Sequence, residues 1–171
     1  TSSAASDVYK RQILAQEEEG EDEEPIGERP AVSASELPSG FKFDGAPGTE
    51  WRSAEDSIVN FLTIEPEEGG EPAGKTIVKV FVNSEYILAA IRCFDDDPNG
   101  IVSFSKARDS ELENEDHVLL VFDTFQDGRS GYVFAVNPEG SRFDGLVVEK
   151  GEDVNSDWDT IWEAKTSKDE D

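Results

Sequence analysis

The chain has 171 residues, 36% hydrophobic and 32% charged, which is enough for one domain with a core and short for two. Its formal net charge of −25 argues against nucleic acid and anionic membrane surfaces as partners, because phosphates would repel it. Such acidity is typical of adaptation to salt, with the binding of cations or neutral ligands as the alternative. No stretch reaches the ~20 consecutive apolar residues of a membrane helix, so we predict no direct membrane insertion.

The first 40 residues differ from the rest and are left out of the predicted fold. Residues 1–16, TSSAASDVYKRQILAQ, look like a translated sequencing-adapter remnant followed by the end of a signal peptide. Residues 17–40 begin with EEEGEDEEP and continue rich in Pro, Ser and Ala. Dense like charge repels itself and buries nothing, so this stretch is predicted to be a disordered acidic and Pro-rich linker.

Residues 41–171 alternate between short apolar runs and turn residues. The runs are FKF, IVNFLTI, TIVKVFV, YILAAIRCF, GIVSFS, HVLLVFD, GYVFAV, RFDGLVV and TIWEA. The turn signals between and within them include Asn83-Ser84, Asp127-Gly128, Pro138-Glu139-Gly140 and Asp144-Gly145. This pattern predicts an all-β fold, specifically a jelly-roll or immunoglobulin-like antiparallel β-sandwich. No helix-length segment separates the runs, which argues against βαβ units.

Two pairs of runs predict hairpins. The connection from Asn83 to Tyr86 is short enough to force antiparallel pairing of the runs on either side. The second hairpin joins residues 118–123 to 131–136 through a tip at Asp127-Gly128.

The single cysteine and the single histidine give no catalytic signal. Cys93 lies in an apolar run, which predicts a buried, inert thiol, and no internal disulfide can form. His117 has no second histidine or partner cysteine for a zinc site.

Acidic loops are the candidate metal ligands. An EF-hand loop beginning at Asp123 would have Gly128 at its sixth position as required, but Phe125 and Phe134 stand at its third and twelfth, so that motif fails. A structural Ca²⁺ remains a prediction for the acidic turns, with a solvated turn as the alternative. Its candidate ligands are Asp95, Asp96, Asp97, Asp123 and Asp127.

The aromatic residues are more discriminating than the abundant carboxylates. Trp158 lies in the polar loop EDVNSDWD, where a core position is least expected. Trp51 is interpreted as a core plug at the edge of the sandwich and Trp162 as half-buried, since burial is the usual state of an indole. A sugar ring packs its C–H faces on indole, while its hydroxyl groups need polar partners.

The order of motifs resembles the family 9 carbohydrate-binding modules, in the branch at the N-terminus of bacterial envelope proteins. The resemblance covers about residues 41–166. It is carried by FDG…TEWRSA, TIVKVFVNSEYILAAIRCFDDDP, RDSELENEDHVLLVFDTFQDGRSGYVFAVNPEGSRFDG and WDTIWEAKT. It implies a jelly-roll-like β-sandwich with a sugar site and often bound calcium. It also implies that the C-terminal strand or strands of the sandwich are missing, which would leave an unpaired edge.

The resemblance leads to a non-catalytic, carbohydrate-binding-like domain of a larger extracytoplasmic bacterial protein. Its partners would be a polysaccharide, for example xylan-like, and the remainder of its own parent chain. The predicted ligand-binding residues are Arg108, Asp109, Asn137 and Trp158. For Arg108 a structural ion pair is the alternative.

Two other classes of function remain open. The domain could be a structural or accessory β-sandwich of an outer-membrane-associated protein, with no sugar ligand. It could also be part of a glycoside hydrolase, but the sequence offers no convincing acid and nucleophile pair, so catalysis would lie outside these residues.

Overall fold

The computed structural model describes residues 31–46, 48–64, 67–112, 114–148 and 153–168. The predictions for residues 1–16 and for the first part of the linker lie outside these ranges. The described chain divides into two compact units that meet in sequence between Asn99 and Gly100.

The first unit contains a three-stranded sheet in the order β1-β2-β3. Its elements are β1 (Ser35–Glu36), the five-residue helix α1 (Thr49–Ser53), β2 (Thr76–Val82) and β3 (Ile87–Cys93). β2 and β3 pair antiparallel along their whole length, which confirms the first predicted hairpin. At its tip the Asn83 side chain accepts hydrogen bonds from the backbone N–H of Glu85 and of Tyr86, both at 2.8 Å.

Strand β1 corrects the predicted linker. Ser35 and Glu36 pair in parallel with Phe81 and Val82, and Leu37 is buried. Apolar Leu37 anchors this stretch to β2, and its N–H donates to the carbonyl of Val82 at 3.0 Å. Residues 35–37 are therefore structured, contrary to the prediction of disorder.

Two single residues of the first unit also differ from expectation. Cys93 is exposed, because it ends β3. Trp51 lies in α1, half-buried, and the Lys79 ammonium on β2 stands 5.1 Å from its ring centroid. The same ammonium donates to the Trp51 carbonyl at 2.7 Å, so it satisfies a carbonyl of α1 that the short helix leaves open.

The second unit is a four-stranded antiparallel meander in the order β4-β5-β6-β7. Its strands are β4 (Val118–Phe122), β5 (Gly131–Val136), β6 (Arg142–Val148) and β7 (Asp153–Asn155). The predicted hairpin between runs 118–123 and 131–136 is confirmed by the pairing of β4 with β5. The interpretation of Asp144-Gly145 as a turn is wrong, since both residues lie inside β6.

The two faces of this sheet have different neighbours because side chains alternate along each strand. One face carries the core pair Val133 and Val147, against which Leu119, Phe143 and Val154 pack. The opposite face, which we call the aromatic face, carries Phe122, Tyr132 and Phe134. Tyr132 pairs in register with Phe122 and Phe134 with Asp144, so these side chains share that face.

Regular structure among the described residues is almost entirely β, in two mainly antiparallel sheets with a single short helix and a 3₁₀ turn at Pro98–Gly100. The prediction of an all-β fold is confirmed. None of the helices in the described ranges is long and apolar enough to cross a membrane.

Val147→Ala tests the core of the second unit. Val147 is 0% exposed, so losing two methyl groups from a packed site should lower the free energy of unfolding by about 2 kcal/mol. The exposed Val102 is the matched control, and Val102→Ala should change it by no more than about 0.5 kcal/mol. Urea denaturation followed by tryptophan fluorescence measures both variants, and equal losses would contradict the assignment of the core.

Candidate functional site: an ion cluster beside an aromatic surface

A carboxylate on β6 is the centre of the first cluster. The side chain of Asp144 is 0% exposed, and its Oδ1 accepts from the Arg108 Nη2 at 2.9 Å. The same Nη2 donates to Asp159 Oδ1 at 2.6 Å and to the Thr160 carbonyl at 3.3 Å, while Arg108 Nε lies 3.4 Å from Asp109 Oδ2. Three carboxylates therefore surround one guanidinium. This arrangement is a structural ion pair, the alternative interpretation of Arg108.

The electrostatics of Arg108 follow from this arrangement. Desolvation works to lower the pKa of its guanidinium, but attraction to Asp144, Asp159 and Asp109 outweighs it and raises the pKa. The group stays charged and compensates the buried carboxylate, which would otherwise be an unpaired charge out of water.

Asp144 also holds the segment that follows β7. Its Oδ2 accepts from the backbone N–H of Thr160 at 2.8 Å, and its Oδ1 accepts from Trp162 Nε1 at 3.0 Å. We call residues 158–168 the C-terminal segment. Its side chains alternate from Trp158 to Lys165 between half-buried and exposed, so it is extended without belonging to a strand. Ile161, on the outer side, is fully exposed.

The C-terminal segment places two indoles on the aromatic face. Trp158 lies 4.9 Å from Tyr132 between ring centroids, tilted by 36°, and 6.4 Å edge-on from Phe134. Trp162 packs edge-on against Phe134 at 5.2 Å. Arg142 donates to the Trp162 carbonyl, and its guanidinium carbon stands 5.6 Å from the Trp162 ring centroid. Trp158 and Tyr132 are both half-buried, so each keeps part of its surface in water.

A second polar cluster lies around Asn137, which is 1% exposed. Its Nδ2 donates to the Ser105 carbonyl and to Glu115 Oε2, both at 2.9 Å. Its Oδ1 accepts from the N–H of Glu139 at 3.1 Å and of Ser141 at 2.8 Å. The bonds from Glu139 and Ser141 close the β5–β6 turn, and those to Ser105 and Glu115 fix the turn to the chain before β4, so Asn137 acts structurally in this conformation.

Glu115 completes that cluster. It is 6% exposed, and its carboxylate accepts from the N–H of Phe104 at 2.7 Å and of Ser105 at 3.0 Å as well as from Asn137. Burial works to raise the pKa of Glu115, but the hydrogen bonds from Ser105, Phe104 and Asn137 prevail and lower it to about 2.

The acidic turns use their carboxylates to bind their own backbone. Asp123 accepts from the N–H of Gly128 at 3.0 Å, and Asp127 from that of Arg129 at 2.8 Å. The N–H groups of Arg129 and Ser130 lower the pKa of Asp127. These bonds are typical of side chains that form turns.

The turn after β3 has the same pattern. Asp95 accepts from the N–H of Asp97 at 2.8 Å, and Asp95, Asp96 and Asp97 are all exposed.

The structure groups different carboxylates from those predicted to bind calcium. In the described part of the chain, the single set with three ligand atoms within 4.8 Å of one another is Asp109, Asp144 and Asp159. Arg108 already supplies the cation of that set, and a divalent ion would have to displace it. The five predicted calcium ligands form no such set among the described residues, and calcium binding at these turns stays a prediction.

The predicted ligand-binding residues fall into two places. Arg108 and Asp109 belong to the ion cluster, and Asp159 of that cluster directly follows Trp158; Asn137 belongs to the buried cluster instead. Sequence reasoning missed Asp144 and Glu115. The signal for Asp144 was an acid inside the apolar run RFDGLVV, which was interpreted as a turn.

No family model matches the chain, and neither the curated proteins nor the solved structures contain a significant match. The resemblance to family 9 modules therefore stays a prediction.

Glu115→Gln tests the buried cluster through pH. Because its pKa is lowered from 4.5 to about 2, Glu115 stabilises the fold fully above pH 4.5, and that stabilisation is lost as pH falls through 2. The variant should be less stable than the native chain at pH 7. The difference in stability between the two chains should shrink as the pH falls from 4.5 to 2. Thermal melts across this range measure it, with the exposed Glu111→Gln as control. A difference that is constant with pH would refute the role of the charge.

Calcium binding is tested by thermal melts with CaCl₂, MgCl₂ and a chelator. The sequence prediction requires that Ca²⁺ raise the melting temperature, because a ligand at 100 times its Kd stabilises the folded state by about 2.7 kcal/mol. Asp127→Asn and Asp96→Asn assign the site to one turn or the other. Equal melting temperatures in all three solutions would contradict the calcium prediction and favour salt adaptation as the reason for the acidic composition.

Proposed function

We propose that the chain is a non-catalytic, carbohydrate-binding-like β-domain of a larger extracytoplasmic bacterial protein. The observation that carries this proposal is the half-buried pair Trp158 and Tyr132 next to the charged groups of the Arg108 cluster. A jelly-roll-like sandwich is the fold that the resemblance to family 9 modules implies for such a domain.

The chemistry of this surface suits a neutral sugar. Aromatic rings bind the C–H faces of a pyranose, and binding sites commonly combine such rings with a few polar groups that fix orientation. Asp159 directly follows Trp158 and holds the guanidinium of Arg108 at 2.6 Å, and both groups can pair with hydroxyl groups. The net charge of −25 disfavours polyanionic ligands, which leaves neutral glycans such as xylan or cello-oligosaccharides as the class to test.

A structural or accessory domain without a sugar ligand is the second candidate, and the hairpin of the first unit favours it. Tyr86 is 60% and Ile87 65% exposed, and Val82 pairs in register with Ile87, so apolar side chains lie together on that surface. Exposed apolar patches are typical of surfaces that another protein segment covers. The partner would be the remainder of the parent chain.

Trp158→Ala tests the carbohydrate proposal. Removing one stacking ring should weaken glycan binding about tenfold, equivalent to ~1.4 kcal/mol. Isothermal titration calorimetry with xylan, cello-oligosaccharides and a broad panel of neutral glycans measures the affinity. The matched control is Phe125→Ala, which removes an exposed aromatic ring from the β4–β5 tip and should leave the affinity unchanged.

Absence of heat with every glycan for the native chain would overturn the carbohydrate proposal and favour the accessory domain. Equal losses in Trp158→Ala and Phe125→Ala would place the binding surface elsewhere.

A further inference from the structure

We propose that Asp144 is a positioning residue for the aromatic face. Its carboxylate fixes the C-terminal segment so that the Trp158 ring lies on Tyr132. The inference rests on the proposed function where it concerns sugar binding, but the positioning itself is independent of any ligand. Asp144 lies on β6, and its side chain has no exposed surface with which to touch a sugar.

The contacts of Asp144 define the path of the C-terminal segment. It accepts one hydrogen bond from the backbone of that segment, at Thr160, and one from a side chain, at Trp162. It also faces Arg108, which reaches Asp159 and the Thr160 carbonyl of the same segment. Directly or through Arg108, a single carboxylate thus fixes the peptide groups on both sides of Thr160, the side chain of Asp159 and the indole of Trp162.

The pairing of β5 with β6 links the anchor at Asp144 to the position of Trp158. Phe134 on β5 stands directly opposite Asp144 on β6, and the Phe134 ring contacts both indoles of the segment. Trp158 is two residues before Thr160, whose N–H Asp144 holds at 2.8 Å. The position of the Trp158 ring over Tyr132 is therefore set from its C-terminal side by the anchor at residues 160 and 162.

The apolar contacts alone do not specify this arrangement. Ring contacts tolerate sliding because apolar burial is non-directional, whereas hydrogen bonds to a carboxylate are directional. Extended segments with alternating side chains can also shift register by two residues without changing the buried face. The two oxygens of Asp144 accept from Thr160 N–H and from Trp162 Nε1 at the same time. A shift by two residues would move both donors away from the buried carboxylate, so the hydrogen bonds exclude it.

The experiment uses the chain labelled with 5-fluorotryptophan, which gives one ¹⁹F resonance for each of its three tryptophans. Asp144→Asn keeps the size of the side chain but removes its charge and turns one acceptor into a donor. We expect the resonances of Trp158 and Trp162 to shift and broaden, while that of Trp51, which lies in the first unit, stays unchanged. Substituting each tryptophan by phenylalanine in turn assigns the resonances.

Asp157→Asn is the matched control. It makes the same change of charge directly beside Trp158, on an exposed side chain, and should leave the Trp158 resonance nearly unmoved. A Trp158 resonance that is unchanged in Asp144→Asn, or that moves equally in Asp157→Asn, would overturn the proposal.

Trp162→Phe keeps the test decisive if Asp144→Asn does not fold. It removes the Nε1 donor and retains an aromatic ring against Phe134, so the carboxylate and its contact with Arg108 remain. The Trp158 resonance should broaden in this variant as well, and an unaltered line would contradict a role for the anchor.

Glycan titration then separates the two proposals. If the native chain binds a neutral glycan, Asp144→Asn should weaken binding although Asp144 is buried, and Asp157→Asn should not. If the native chain binds none, the proposed function fails, while the ¹⁹F spectra still decide whether Asp144 positions Trp158.

Discussion

The buried carboxylate of Asp144 is the constraint on which the second unit depends. A charge without exposed surface is costly unless it is paired and hydrogen-bonded, and here Arg108, Thr160 and Trp162 all supply donors. These donors come from segments on either side of the meander. Satisfying one group on β6 therefore fixes the loop before β4 and the segment after β7 on the same sheet.

The second buried acid has a similar effect nearer the β5–β6 turn. The carboxylate of Glu115 accepts hydrogen bonds from the N–H groups of Phe104 and Ser105 and from the side-chain amide of Asn137. The two clusters are continuous along residues 104–109, since the N–H of Asp109 also donates to the Arg142 carbonyl at 2.7 Å. This irregular segment is thus bound through polar contacts rather than through a ladder of strand hydrogen bonds. It places Arg108 within hydrogen-bonding distance of Asp144.

The division between the two faces of the meander explains where a binding surface can form. The Val133 and Val147 face is the hydrophobic core, whereas the other face is covered by the C-terminal segment with its indoles and, at Asp144, by Arg108. A covering made of alternating half-buried and exposed side chains leaves part of each ring in water. The proposed glycan surface rests on this exposure, with the ion cluster as the source of its polar groups.

The sequence by itself determined the β class and both hairpins, because alternating runs bounded by Asn, Asp and Gly depend on local backbone preferences. It also singled out Trp158 and Arg108. It placed Asp144 in a turn and residues 35–37 in a linker, since an Asp-Gly pair and a polar composition are local signals. Only the tertiary structure decided that β6 runs through Asp144, that Asn137 is buried and that Arg108 faces three carboxylates. Those facts depend on which strands pair and on which segments cross them, and partners 36 and 51 residues from Arg108 leave no periodic trace in the sequence.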